Sequence, residues 1–266
     1  LNGNLVDTGA TYNAVYSNPI ADNFDVINIT STGMADSGSR YVANQVVTFT
    51  SCCALPPGPG NAKGKIEAKG TSRLTNPDTN VAAWAGGNVK ADGGATIANN
   101  SGGTTTGIAK NDAALASLTN DAFFQNFFNG TKDSVKNLSE VYTGAGNYSA
   151  TLSSVPSTKI IWIVGDVTIN STVTVGSAAA PVVLIVEGKL TINGSATFNG
   201  IAYSTGEMKV NGSARFNGAA LSESNLKISG SAQVAYDQEL LEEAVNNSGS
   251  FAKIGGAWTD LTDSAS

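Results

Sequence analysis

LTINGSATFNG (190–200), MKVNGSARFNG (208–218) and LKISGSAQVAY (226–236) follow one another at a spacing of 18 residues. Written one under another, they put Leu190, Met208 and Leu226 in one column and Ile192, Val210 and Ile228 in a second. Phe198, Phe216 and Val234 form a third. Apolar residues alternate with small polar ones, which is the period of a strand. The Asn-Gly-Ser and Ser-Gly-Ser triplets between them supply corners that need a positive φ. A strand and a corner repeated at a short fixed period predict a β-solenoid with 18-residue coils.

The pattern extends upstream. VTINSTVTV (167–175) matches at an offset of 23, so one coil carries a five-residue bulge around Ala178–Pro181. VKADGGATI (89–97) matches as well. Gly87, Gly165, Gly188 and Gly206 share a column. Trp84, Trp162, Ile185, Tyr203 and Leu221 share another, expected to face inward. On that reading Trp84 and Trp162 touch if coil 82–100 lies beside coil 160–175. KGKIEAKGTSRL (63–74) is expected to be a strand pair entering the solenoid.

Residues 101–158 form an excursion between coils. Within it Leu115, Leu118, Ala122, Phe123 and Phe127 recur at helical spacing, with Phe124 and Phe128 as a second apolar edge. Asn111 is a candidate cap and Gly130 a candidate end. Thr131 is placed to cap a second helix with Val135, Leu138 and Val141 on one face. The stripe is expected to pack on one side of the solenoid.

The ends of the chain read differently. TYNAVYS (11–17), FDVINITST (24–32) and SRYVANQVVTF (39–49) are β-rich segments in a meander, with turns at Asn18-Pro19 and Asp36-Ser37-Gly38. The segment 248–261 reads as a strand or hairpin returning to that sheet. Residues 1–62 and 246–266 then make one small β-sheet domain, and 63–245 the inserted solenoid. DQELLEEAV (237–245) is expected to be a helix covering the solenoid's open end.

The segments INITSTGMADSGSRYVANQVV, FFQNFFNGTKDSVKNLSEVY and GGAWTDL resemble the PilX-like minor pilins of type IV pili, and the similarity extends over most of the chain. The resemblance implies a pilin-like β-sheet domain and a non-enzymatic role without cofactor. It implies assembly with other minor and major pilins, at or near the pilus tip on the cell surface. It also implies a hydrophobic N-terminal helix, absent from this sequence, that anchors the protein in the inner membrane before assembly. Surface adhesion or DNA uptake during competence is the function expected.

Other chemistry is sparse. The chain has no His, which removes His-based triads. With two cysteines it also lacks the ligands of a structural zinc site. Cys52 and Cys53 are neighbours, so a vicinal disulfide and two buried thiols both stand open. The net charge of −6 argues against wholesale nucleic-acid binding, though a local basic strip remains compatible with it. Lys90, Lys209 and Lys227 share a phase with Thr191, and Arg215 lies on the neighbouring strand. These residues are either a polyanion contact, DNA included, or solubilising side chains. Asp166, Glu187, Glu207 and Glu223 do not converge and are expected to be solvated on the outer face. Two rival readings are an ice-binding β-solenoid, which needs a flat Thr-rich face, and a polysaccharide-active β-helix enzyme, which needs clustered carboxylates.

Overall fold

The computed structural model describes residues 2–4, 11–17, 26–34, 40–103, 105–155 and 160–263. The chain is mainly β and divides into two compact units, 1–50 with 249–266, and 51–248.

The smaller unit is a five-stranded sheet of Asn2–Asn4, Thr11–Ser17, Val26–Met34, Arg40–Ser51 and Gly249–Asp263, in that spatial order. The first four strands form an antiparallel meander. The last strand joins its edge, as the β-rich terminal segments suggest. Both proposed turns, at 18–19 and 36–38, lie outside the described residues.

The larger unit holds two sheets built from parallel strands, and the chain passes between them at every rung. In the repeat, Leu190–Ile192 pairs with Met208–Val210, and that strand with Leu226–Ile228. Thr197–Ser204 pairs along its whole length with Arg215–Ser222. Residues 18 apart are thus vertical neighbours. Phe198 and Phe216 stack with ring centroids 4.8 Å apart. The predicted bulge is a tight turn closed by Ser177 and Ala180.

Two backbone positions fix the shape of a rung. At the Asn-Gly-Ser corner Gly194, Gly212, Gly230, Gly70 and Gly93 stack, all with φ between 71 and 77°, and only glycine holds that conformation without cost. Further along, Gly200 and Gly218 bend the strand from one face to the next with φ of 140° and 129°. A Cβ on Gly218 would lie 2.0 Å from the Gly200 carbonyl oxygen below it.

The order of the rungs departs from the order of the chain. Running along the stack, residues 140–147 are followed by 160–175, 182–198, 201–216 and 219–235. Next comes 60–75, and then 83–98. Two expectations are therefore corrected. The segment 63–74 is not an entrance but most of an interior rung, which starts at Gly60–Ala62. Trp84 is nowhere near Trp162, because five rung spacings separate them. The excursion has to climb from rung 83–98 to rung 140–147 at the far end of the stack, about 29 Å for six rung spacings.

This arrangement brings the ends of the larger unit together. Rung 219–235 lands on rung 60–75, and the Cys52 amide donates to the Ser248 carbonyl at 2.6 Å.

Side chains fall into two cores. One fills the interior of the rungs, with Ile163, Leu184, Ile192, Phe198, Val210, Phe216 and Ile228. The second lies outside the strands and contains Trp162, Ile185, Tyr203 and Leu221. These are the column expected to face inward, so that orientation is reversed. The register itself holds: Trp162, Ile185, Tyr203, Leu221, Asn61 and Trp84 are successive partners.

The excursion covers that outer column. Its helices are α1 (Ala113–Ser117), α2 (Asn120–Gln125), α3 (Lys132–Asn137) and α4 (Ser149–Leu152). Asp112, not Asn111, caps α1, accepting from the Leu115 amide at 3.0 Å and from Trp84 Nε1 at 2.8 Å. Thr119 caps α2, so the single helix expected is broken at Leu118. Its last residue is Gln125, well short of Gly130. Thr131 caps α3 as anticipated. Phe123, Phe124, Phe127 and Phe128 are all buried, in ring contact with Trp84, Trp162 and Tyr203. Val135 joins them, but Leu138 and Val141 are 61% and 44% exposed and share no buried face with it.

The acidic helix α5 (Gln238–Asn247) lies along the side of the stack rather than over its end. Leu240, Leu241 and Ala244 enter the outer core. At its start Tyr236 donates to the Pro56 carbonyl at 2.7 Å, and burial pushes its hydroxyl up to about 12.

Candidate functional site

Each rung has three sides. Helices cover the side that carries Trp162 and Tyr203. The other two are open and carry the residues singled out in the sequence.

The first open side is the seven-stranded sheet. Its strands are two to five residues long, and the middle residue of each three-residue strand points outward. That column reads Thr168, Thr191, Lys209, Lys227, Glu67, Lys90. The shared phase of Lys90, Lys209 and Lys227 is real, but Glu67 separates Lys227 from Lys90. Adjacent lysines about 4.8 Å apart repel. Glu207 resolves this, accepting from Lys209 at 3.0 Å and Lys227 at 2.6 Å. Lys90 pairs with Asp92 at 2.9 Å, and Lys69 with Glu67 at 3.3 Å. The strip is a ladder of neutralised charges, flanked by a cleft of about 450 Å³ between Glu67, Lys69, Lys209, Asn211 and Lys227.

Partial burial pushes the Glu207 carboxyl up, but the two lysines outweigh it and hold it below the ordinary range. Its stabilising contribution is complete above the unfolded glutamate range and disappears as pH falls through the depressed value. Glu207→Gln is expected to cost less than about 1 kcal/mol in urea unfolding, because these pairs are partly solvated. The same change frees Lys209 and Lys227. The slope of log affinity for duplex DNA against log salt should steepen by about one to two.

The second open side follows the corner. Arg215 stands here, one side away from the lysines. Its column reads Thr174, Thr197, Arg215, Gln233, Arg73, Thr96. Beside it Ser213 and Ser231 lie with hydroxyls 3.3 Å apart. On the other flank Asn217 donates to Asn199 at 2.9 Å, and Asn199 to the Gly176 carbonyl at 3.0 Å. Among the described residues neither Arg215 nor Arg73 makes an ion pair. Both columns open with two threonines and then turn charged, so neither is a continuous threonine array.

The acidic residues separate by environment. Asp166 is exposed and accepts from the Lys189 amide at 2.8 Å. Glu187 is tied to α3 through Lys136 at 3.0 Å, with that ammonium 5.5 Å from the Trp162 ring centroid. Glu223 corrects the expectation of solvation: its side chain is 2% exposed, beneath the helices. It accepts from the Tyr203 hydroxyl at 2.7 Å and from Lys132 at 2.7 Å. Burial and the Glu223 hydrogen bond raise the Tyr203 hydroxyl well above its ordinary value.

Cys52 and Cys53 form a disulfide and are buried in the outer core. Their segment is pinned by Ala54 donating to the Phe127 carbonyl and Asn129 donating to the Cys52 carbonyl, both at 2.8 Å. The bond sits where the larger unit begins and ends. Among the described residues no helix is long and apolar enough to cross a membrane.

No protein-family model and no curated protein matches the chain. Among solved structures it is similar to the competence-associated pilin ComZ from Thermus thermophilus, with a TM-score of 0.25 and 10% sequence identity. That alignment covers 96% of this chain and 84% of the other.

Proposed function

We propose that this chain is the ectodomain of a non-enzymatic, PilX-like minor pilin carrying an inserted β-solenoid. The observation that carries this reading is the meeting of Cys52 and Ser248, which lets the whole stack be carried as an insert between two strands of the five-stranded sheet. An insert whose ends coincide presents its faces without interrupting the sheet that holds it. In this reading the sheet joins other minor and major pilins in the tip complex, and a hydrophobic N-terminal helix anchors the protein in the inner membrane before assembly. The solenoid projects a rigid open surface for adhesion or DNA uptake, with backbone ladders and stacked apolar columns keeping its side chains in register.

Antibody labelling of intact cells that make the full-length protein tests this. Label on pili, concentrated towards their ends, is the expected result. Label confined to the medium or the cell interior contradicts it.

A further inference from the structure

We propose that the open side carrying Arg215, Gln233 and Arg73 binds an acidic polysaccharide with one anionic group per disaccharide. This rests on the adhesive form of the reading above and names the ligand class.

The charge of this side is the first argument. The chain carries −6 overall, yet the three outward columns here hold two arginines and no carboxylate. Carboxylates begin beyond its margins, at Asp92 past one corner and at Asp78 and Asp237 past the other. A bare cationic surface on an acidic protein focuses an anionic ligand. The neighbouring lysine ladder, by contrast, already has its carboxylate partners.

Spacing is the second. Arg215 and Arg73 are two rungs apart, with Gln233 between them. Two rungs come to about 9.6 Å, comparable with an extended disaccharide of a β-linked glycan. A guanidinium fork at each end takes a carboxylate or sulfate. Gln233 and the Ser213–Ser231 hydroxyls offer donors and acceptors to the uncharged sugar between.

The small number of cations disfavours duplex DNA, which presents one phosphate per about 1.7 Å of axis. Two unpaired cations release at most about two counterions there, too few for firm binding.

Calorimetric titration of the full chain with size-defined hyaluronan oligosaccharides, which carry one carboxylate per disaccharide, tests the proposal. Neutral cellulose oligosaccharides and duplex DNA at the same salt are the comparison ligands. The parent should bind hyaluronan in a salt-sensitive way and above both comparison ligands. Arg73→Gln and Arg215→Gln should each lower that affinity about tenfold, the loss of one charged hydrogen-bonding partner. Lys227→Gln, on the other open side, should leave it nearly unchanged. These are exposed positions, and unaltered circular dichroism confirms that each variant is folded. No hyaluronan binding, tighter binding to DNA or to the neutral glycan, or arginine variants that bind like the parent would each overturn the proposal. Pilus labelling separates the two readings: labelled pili without hyaluronan binding remove the ligand and leave the pilin, whereas unlabelled pili remove the pilin.

Discussion

Gly218→Val is expected to lower the thermal midpoint of the larger unit by about 10 °C, from a loss of about 4 kcal/mol. The cause is local. Gly218 has φ of 129°, a conformation closed to a β-branched residue. Its Cβ would also stand 2.0 Å from the Gly200 carbonyl oxygen. Backbone on one rung cannot yield without moving the next, so the clash propagates instead of relaxing. Gly146→Ala is the control, because nothing lies within 4 Å of a Cβ there. That change should stay within about 0.5 kcal/mol. Differential scanning calorimetry of both variants measures the difference, and similar midpoints would mean that the rungs are not in tight vertical contact.

Lys132→Ala is the second large effect, at about 3–5 kcal/mol in urea unfolding. It removes the cation from a carboxylate that is 2% exposed and leaves Glu223 with the Tyr203 hydroxyl alone. Asp121, the other partner of Lys132 at 3.1 Å, is 78% exposed and loses little. Adding Glu223→Leu should recover part of the cost, since a buried pair replaced by apolar groups is often nearly neutral, the remainder being the Tyr203 hydroxyl left without its acceptor. A double variant as unstable as the single one would place the loss in packing and not in charge.

The alkaline limb gives an independent reading. Burial pulls the Lys132 ammonium down, but Glu223 and Asp121 outweigh it and the net shift is upward. Tyr203 is raised as well, by burial first and Glu223 second. A raised folded value contributes stability in full below the unfolded value and loses it as pH rises through the folded one. The parent should therefore lose more stability than Lys132→Ala between neutral pH and pH above the ordinary tyrosine and lysine ranges.

The parts of this fold legible in sequence are those that repeat. Register was visible because an 18-residue period sets Leu190 over Met208 over Leu226, and vertical neighbours in parallel strands want the same side chains. The order of the rungs was not, because a parallel edge accepts any strand of suitable pattern. A signal did exist: IEAKGTSRL (66–74) falls under LKISGSAQV (226–234), with Gly70 beneath Gly230. Alternation also failed to separate inside from outside in Ile160–Val164. Both faces of that strand are buried, one in the rung interior and one beneath the phenylalanines.

The candidate site was half legible. Lys209 and Lys227 share a column as expected, but Glu207, two residues from Lys209, occupies the space between their charges. Arg215 stands on the neighbouring strand, as its position in the repeat implies, but the intervening corner turns it onto a different open side from the lysines. Arg73 is not legible as a site residue, because 63–74 reads as a strand pair entering the solenoid whereas it belongs to an interior rung. The burial of Glu223 left no trace in its own segment, since its cation comes from the excursion.

Cysteine cross-linking tests the rung order most directly. In a chain carrying Glu67→Cys and Lys227→Cys, the new thiols sit on paired residues of adjacent rungs, within reach of a disulfide. Mild oxidation should join them, as read by mass spectrometry of the proteolytic fragments, while a Lys90→Cys, Thr168→Cys chain stays uncoupled. Coupling of 90 to 168 with none between 67 and 227 would put rung 83–98 beside rung 160–175 and contradict the account.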